Sequence, residues 1–331
     1  MTAYILRRTI LSIPMLILVS FIAFFILTLP PGDYMTSFQN QLTSQAGLSA
    51  IEAEELANQM REKYGLDKPF VVQYYNWVKN IVLHGDFGYS FFYNRPVGEV
   101  IWSRMGYTIL IASLCHFISV FMGVLIGIYS ATHQYTTGDY IFTVIAFIGV
   151  SVPAFFLALA LLYFFSFKLG MGVGGLFSQE YVMAPWSFAK FINLLKHIWV
   201  PIVIVGFAGT ARNMRVMRGN LLDVMGRQYI QTARAKGVSE FRVVFKHALR
   251  NAILPIIMSL GYAMPFLIQG EMVTAIVLDL PTTGPAFYKS LINQDMYLAG
   301  SFLMMIAVIL VLGNLVADIT LAWVDPRVRY D

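Results

Sequence analysis

The chain has 331 residues, of which 58% are hydrophobic and 12% charged, whereas soluble domains carry about 45–50% apolar and about 25% charged residues. With a mean hydropathy of +0.66, this balance excludes a soluble globular domain and points to an integral membrane protein. The net charge of +5 does not indicate nucleic acid, because the basic residues gather beside apolar runs. The single Cys115 excludes an internal disulfide and a multi-cysteine metal site.

A membrane-crossing helix needs about 20 mostly apolar residues. The first candidate runs from Ile10 to Leu29, behind Arg7 and Arg8, and ends at Pro30-Pro31-Gly32-Asp33, which cannot continue a helix. It is long enough to span and no Ala-x-Ala-like cleavage site follows, so it reads as an uncleaved anchor. Residues 1–32 thus form an N-terminal membrane helix.

Residues 33–104 change character and read as an extracytoplasmic region. Glu52, Glu54, Glu55, Arg61, Glu62 and Lys63 predict a soluble helix ending at Gly65. A second, amphipathic segment from Val71 to Leu83 places Val72, Tyr75, Val78 and Val82 on one face. Gly85, Gly88, Asn94 and Pro96 mark loops.

Residues 105–331 form a core with five further spans. The second span lies near Thr108 to Ala131 and the third near Tyr140 to Phe167, joined by the polar link His133 to Asp139. Ser151-Val152-Pro153 falls inside the third span. The proline kinks the helix; Ser151 is either part of that kink or a hydroxyl lining a pathway. Lys168 to His197 reads as an external loop with Gly170, Gly172, Gly174 and Gly175. It lacks a Lys-Ser/Thr ending and opens no strand–helix unit, so it is not a phosphate-binding loop. The fourth span, Ile198 to Ala211, is short and is followed by a polar helix with Arg212, Arg215 and Arg218.

Met225 to Pro255 is the one long basic stretch. It reads as two short helices joined at Gly237. The first, Gln228 to Lys236, stops at the glycine. The second starts with Ser239 as N-cap and Glu240 in its first turn. Phe241, Val244, Phe245, Ala248 and Leu249 share a face at helical spacing, with Arg242, Lys246 and Arg250 off it. Such an elbow can present an apolar knob with a charged rim to another protein.

The fifth span, Ile253 to Leu278, is interrupted by Pro255, Gly261, Pro265 and Gly270, and the sixth runs from Leu298 to Trp323. Glu271 lies within the fifth span. An intramembrane carboxylate is a functional candidate by default, for proton coupling or substrate contact; near the outer end it can equally be hydrated or pair with a neighbouring subunit. The five histidines form no metal-ligand spacing and there is no Gly-x-Ser-x-Gly elbow, so no enzyme is indicated.

The run Gln231-Thr232-Ala233-Arg234-Ala235-Lys236-Gly237, followed by His247-Ala248-Leu249-Arg250-Asn251, resembles the coupling loop of permease subunits in binding-protein-dependent ABC importers. It looks most like the dipeptide, oligopeptide and nickel branch, in its B-type subunit. Gly65-Leu66-Asp67, Pro69, Gln73-Tyr74, Gly85-Asp86-x-Gly88, Ser90, Asn314, Asp318 and the terminal Asp325-Pro326-Arg327 fall where that branch has similar residues. Two departures stand out: Gln231 and Thr232 replace a Glu-Ala pair, and Pro281-Thr282-Thr283-Gly284-Pro285 replaces Pro-Gly-x-Gly.

The resemblance implies an all-α membrane protein of six spans. Its loop 212–250 would couple to an ATPase through Thr232, Ala233, Lys236, Gly237, Val238 and Phe241. It implies a second homologous permease subunit, two ATP-binding subunits and an extracytoplasmic solute-binding protein, with ATP and Mg held by the ATPase partners and no cofactor in this chain. It also implies a bacterial or archaeal inner membrane and a substrate that is a peptide, an oligosaccharide, an opine or nickel. Lysine and arginine placement adds an orientation: Arg7 and Arg8, the nine basic residues of 212–250, and Arg327 and Arg329 all fall on one side of six spans, which is then the cytoplasm, with both termini inside. A self-sufficient proton-coupled transporter using Glu271 is the competing expectation.

Overall fold

The computed structural model describes residues 2–259 and 272–324. Most of these residues are helical, and they fall into two compact units: residues 2–106 with 282–309, and residues 107–259 and 272–281 with 310–324. Among the described residues, four helices are long and apolar enough to cross a membrane, or five if a bent pair counts as one span. The chain is a multi-pass, all-α membrane protein. The middle of the expected fifth span, residues 260–271, lies outside the described residues, and Glu271 with it.

In the first unit, α1 (Thr2–Leu27) supplies the first span, Leu6–Leu27. The chain turns at Pro30–Gly32, and Asp33 caps α2 (Tyr34–Gln45) in a capping box with Thr36. Ser49 and Glu52 make a second capping box at the start of α3 (Ala50–Tyr64), which ends at Gly65 with φ +69°. There Leu66 N–H donates to the Arg61 carbonyl at 2.8 Å, closing the left-handed cap that favours glycine.

Next comes α4 (Phe70–His84), one residue longer at each end than the expected segment. Its packed face differs from the expected one. Phe70, Tyr74 and Trp77 lie against Phe21 and Phe24 of α1, while Val72, Tyr75 and Val82 are exposed. The aromatic side chains win the interface because each offers more apolar area than a valine. Tyr74 also finds a polar partner, its hydroxyl 2.8 Å from that of Ser20.

Strands β1 (Tyr89–Ser90) and β2 (Arg95–Pro96) pair antiparallel, Ser90 opposite Arg95. The unit's core joins Val97, Val100, Ile101 and Met105 to Ala286, Leu298 and Phe302. These come from the start of α5 (Val97–Thr132), from a helix Thr283–Ile292 and from the start of a helix Met296–Val324.

In the second unit, α5 continues to Thr132, so the second span is longer than its apolar run alone indicates. Next, α6 (Thr137–Ser151) and α7 (Ala154–Leu162, extended by a π-helical stretch Tyr163–Lys168) meet at 98°. The third span is therefore broken at Val152-Pro153, not merely kinked. Pro153 has no N–H, so the Gly149 carbonyl loses its helical donor, and the residue before proline leaves the α region; Val152 has ψ +122°.

A short helix, α8 (Gln179–Val182), precedes α9 (Phe188–Met225). The latter is one 38-residue helix. It replaces both the second half of the expected external loop and the short fourth span, and it runs unbroken through Arg212, Arg215 and Arg218. One core of the unit joins Ile111, Cys115, Ala158, Leu194, Ile204 and Leu278.

Candidate functional site

The elbow begins with α10 (Gln228–Ala235). Gly237 N–H donates to the Arg234 carbonyl at 2.9 Å and Val238 N–H to the Ala233 carbonyl at 3.2 Å. This double closure places Gly237 at φ +71°, which suits glycine because it has no Cβ to strain. Ser239 occupies the expected N-cap position, but its hydroxyl makes no cap bond. The turn is instead held by a fork between Arg234 and Glu240, with Nε to Oε1 at 2.7 Å and Nη2 to Oε2 at 3.2 Å. Both partners are solvated, so the pair sets the angle of the elbow more than it adds stability.

After one turn, α11 (Glu240–Arg242) widens into a π-helical stretch, Val243–Ala248, before α12 (Leu249–Ala252). The i→i+5 ladder of a π turn changes which residues face inward. Val243, Val244, Ala248 and Ala252 are buried, together with Ile230 and Ala233 of α10. Phe241 and Phe245, expected on the same face as Val244 and Ala248, point out instead. They are 71% and 44% exposed, and their rings pack on each other at 4.6 Å between centroids. The apolar knob exists, but it is made of Phe241 and Phe245 alone.

Of the other expected coupling residues, Ala233 is buried in the elbow's core and Val238 packs against it. Thr232, Lys236 and Gly237 are exposed, with the Thr232 hydroxyl donating back to the Gln228 carbonyl at 2.9 Å. The core also takes in Ile128 and Ala131 of α5 and Met217 and Leu221 of α9, so the elbow is packed onto two long helices.

A second feature lies at the break in the third span. A cavity of about 630 Å³ is lined by Gly149, Val152, Pro153, Ala208, Arg212 and Arg215, among others. Arg215 sits over the Phe147 ring at 5.6 Å. Ser151 is exposed at the break but is not a lining residue of this cavity. Arg212 and Arg215 escaped sequence reasoning, because basic residues after an apolar run are the ordinary mark of a cytoplasmic boundary. Among the described residues no cluster of His, Cys, Asp or Glu could hold a metal ion.

Two family models match the chain. Residues 123–330 match the binding-protein-dependent transport system inner membrane component, and residues 1–112 match the N-terminal part of such membrane components. The chain is similar to the oligopeptide transport system permease protein AppB of Bacillus subtilis, 36% identical over the whole of both chains. It is 33% identical to the probable peptide ABC transporter permease protein y4tP of Sinorhizobium fredii, again over all of both. With the dipeptide transport system permease protein DppB of Alkalihalophilus pseudofirmus it shares 31% identity over all of both chains.

Proposed function

This chain belongs to the family of binding-protein-dependent transport system inner membrane components, and we propose that it is a peptide-importing permease subunit whose elbow at residues 226–252 docks on an ATP-binding partner. The geometry that carries this reading is the outward-facing Phe241–Phe245 pair on an elbow whose aliphatic residues Ile230, Val243 and Val244 are packed inward. Two adjoining phenylalanine rings exposed to water are unfavourable. Burying each fully against a partner contributes on the order of 1.5–3 kcal/mol, and Arg242 and Lys246 beside them suit an acidic rim around a receiving groove.

Peptides are the preferred substrate class because the relatives that match end to end are named for oligopeptide, dipeptide or peptide transport. In this reading the chain contributes half of a pathway completed by a second, homologous permease subunit. Two ATP-binding subunits hold ATP and Mg and perform hydrolysis, and an extracytoplasmic solute-binding protein delivers the peptide. The basic elbow faces the cytoplasm, as do both termini. ATP binding draws the two elbows together and turns the pathway outward; hydrolysis lets it return.

The test is purification of the tagged chain from mild detergent, followed by identification of co-purifying chains and by uptake of a labelled oligopeptide into vesicles. Two ATP-binding subunits, a second permease and ATP-dependent peptide uptake are the expected result. A homo-oligomer without an ATP-binding chain would overturn the proposal.

A further inference from the structure

Among the described residues, one polar constellation beside the break in the third span has no counter-charge. Arg218 on α9 is neutralised by Asp139, but Arg212, six residues back on the same helix and so about 9 Å further along it, has no carboxylate partner, and neither does Arg215. An ideal Cβ on Gly149 would stand 3.0 Å from the Ala211 Cβ, so the break in the third span lies level with Arg212. Both arginine side chains are exposed at the break, so their N–H donors are accessible to an anion.

Resting on the peptide-import reading above, we propose that Arg212 and Arg215 form a carboxylate-binding subsite in the translocation pathway that takes the C-terminal carboxylate of a transported peptide. The cavity they line, about 630 Å³, is within the range of small-ligand sites. Its other walls are small or apolar, namely Gly149, Val152, Pro153 and Ala208, so they leave a peptide backbone free to pass without selecting a side chain. Two guanidinium groups on one helix face, three residues apart, can each offer paired N–H donors to one carboxylate. A terminal carboxylate, like the terminal ammonium and the backbone amides, is present in linear peptides regardless of sequence. Reading it in the membrane selects the class of substrate while leaving the sequence open.

The experiment uses the complete importer in proteoliposomes, with its solute-binding protein unchanged throughout. Uptake of a labelled tripeptide is compared with uptake of the same tripeptide amidated at its C-terminus, for wild type, Arg212→Gln, Arg215→Gln, the double variant, and Arg212→Lys with Arg215→Lys. Because the binding protein is the same in every sample, the change in the acid-to-amide ratio between variants reports this chain alone. The expected result is a preference for the free acid that falls about tenfold in the double glutamine variant and persists in the double lysine variant.

An unchanged ratio in a transporting glutamine variant overturns the proposal. So does loss of both substrates in the lysine variant, which would make the arginines structural. If the variants alter uptake of both peptides equally and remove a dependence on anionic lipid, the arginines hold a lipid phosphate and the proposal also fails. A wild-type importer that moves neither peptide refutes the import reading itself, a distinct outcome.

Discussion

Arg218 and Asp139 meet in a two-pronged bond, Nε to Oδ1 at 3.0 Å and Nη2 to Oδ2 at 2.8 Å, with the aspartate side chain 3% exposed. The Tyr135 N–H also donates to this carboxylate at 3.1 Å. The pair ties the first turn of α6 to the C-terminal part of α9. Removing one partner of a buried ion pair leaves the other uncompensated, at about 3–5 kcal/mol. Arg218→Met strands the buried carboxylate and is expected to lower the thermal midpoint of the detergent-solubilised complex strongly. Asp139→Asn leaves an arginine that is 27% exposed and can reach water, so it is expected to cost clearly less. Equal losses in the two variants would show that the burial asymmetry has no energetic weight.

Gly123 and Gly127 on α5 and Gly209 on α9 are where these two helices touch. A Cβ on Gly127 would sit 2.6 Å from the Met217 Cβ and 2.9 Å from the Met214 carbonyl oxygen, and one on Gly209 would collide with Ser119. Small residues four apart let helices approach closely within a membrane. Gly127→Val is expected to destabilise by 1–3 kcal/mol or more, on the order seen for overpacked cores. Gly219 has open space around it. There, replacement by alanine should stabilise by about 0.5–1 kcal/mol, the difference in helix propensity. Monodispersity after heating of the two purified variants separates the outcomes.

Two carboxylates outside the spans should give opposite pH dependences. Burial pushes Asp33 up, but the hydrogen bonds from Arg61 and Thr36 outweigh it and hold the group below its ordinary value. Its contribution to stability is present above the unfolded carboxylate value, near 3.9, and is lost as pH falls through the folded one. Asp295 is raised by burial, against donation from Ser90 and Phe92. Its contribution is complete below the unfolded value and is lost as pH rises through the folded one. Thermal midpoints measured from pH 3 upward should therefore lose part of their acid-side fall in Asp33→Ala and part of their decline toward neutrality in Asp295→Asn.

The elbow separates docking from folding. Phe241→Ala with Phe245→Ala removes exposed rings and should leave the thermal midpoint nearly unchanged, while peptide-stimulated ATPase of the assembled importer falls at least tenfold. Gly237→Val acts differently. Nothing lies within 4 Å of its would-be Cβ, so the cost is backbone strain alone, about 1–2 kcal/mol, and the turn should open rather than clash. Normal coupling in the double phenylalanine variant would remove the knob from the docking surface.

Punctuation was legible in the amino-acid order where the signal is local. The stops at Gly65 and Gly237 and the start at Ser239 depend on a few neighbouring residues. The length of α9 was hidden because a hydropathy window ends at polar residues. Lys190 is 5% exposed, yet its ammonium donates to the Ala184 carbonyl at 2.6 Å and lies over Phe177 and Trp186, and the His197 ring lies 2.8 Å from the Asn193 carbonyl. Partners supplied by the fold make those residues compatible with a buried helix. The outward turn of Phe241 and Phe245 had no signal either, since an α-helical wheel places them with Val244. Only the π-helical ladder separates them. Arg212 and Arg215 carry the same letters as any membrane-boundary arginine, and it is the break at Pro153 that gives them a cavity.

The shared core of elbow and α9 has a mechanical consequence. Met217 and Leu221 are fully buried among elbow residues, so the elbow cannot turn without turning the helix it grips. From Met225 back to Pro201 that helix is a rod of about 36 Å. A rotation of about 10° applied at the elbow sweeps the proline end sideways by roughly 6 Å. The fold thus has the gearing to trade a small input angle for a displacement as wide as a peptide chain.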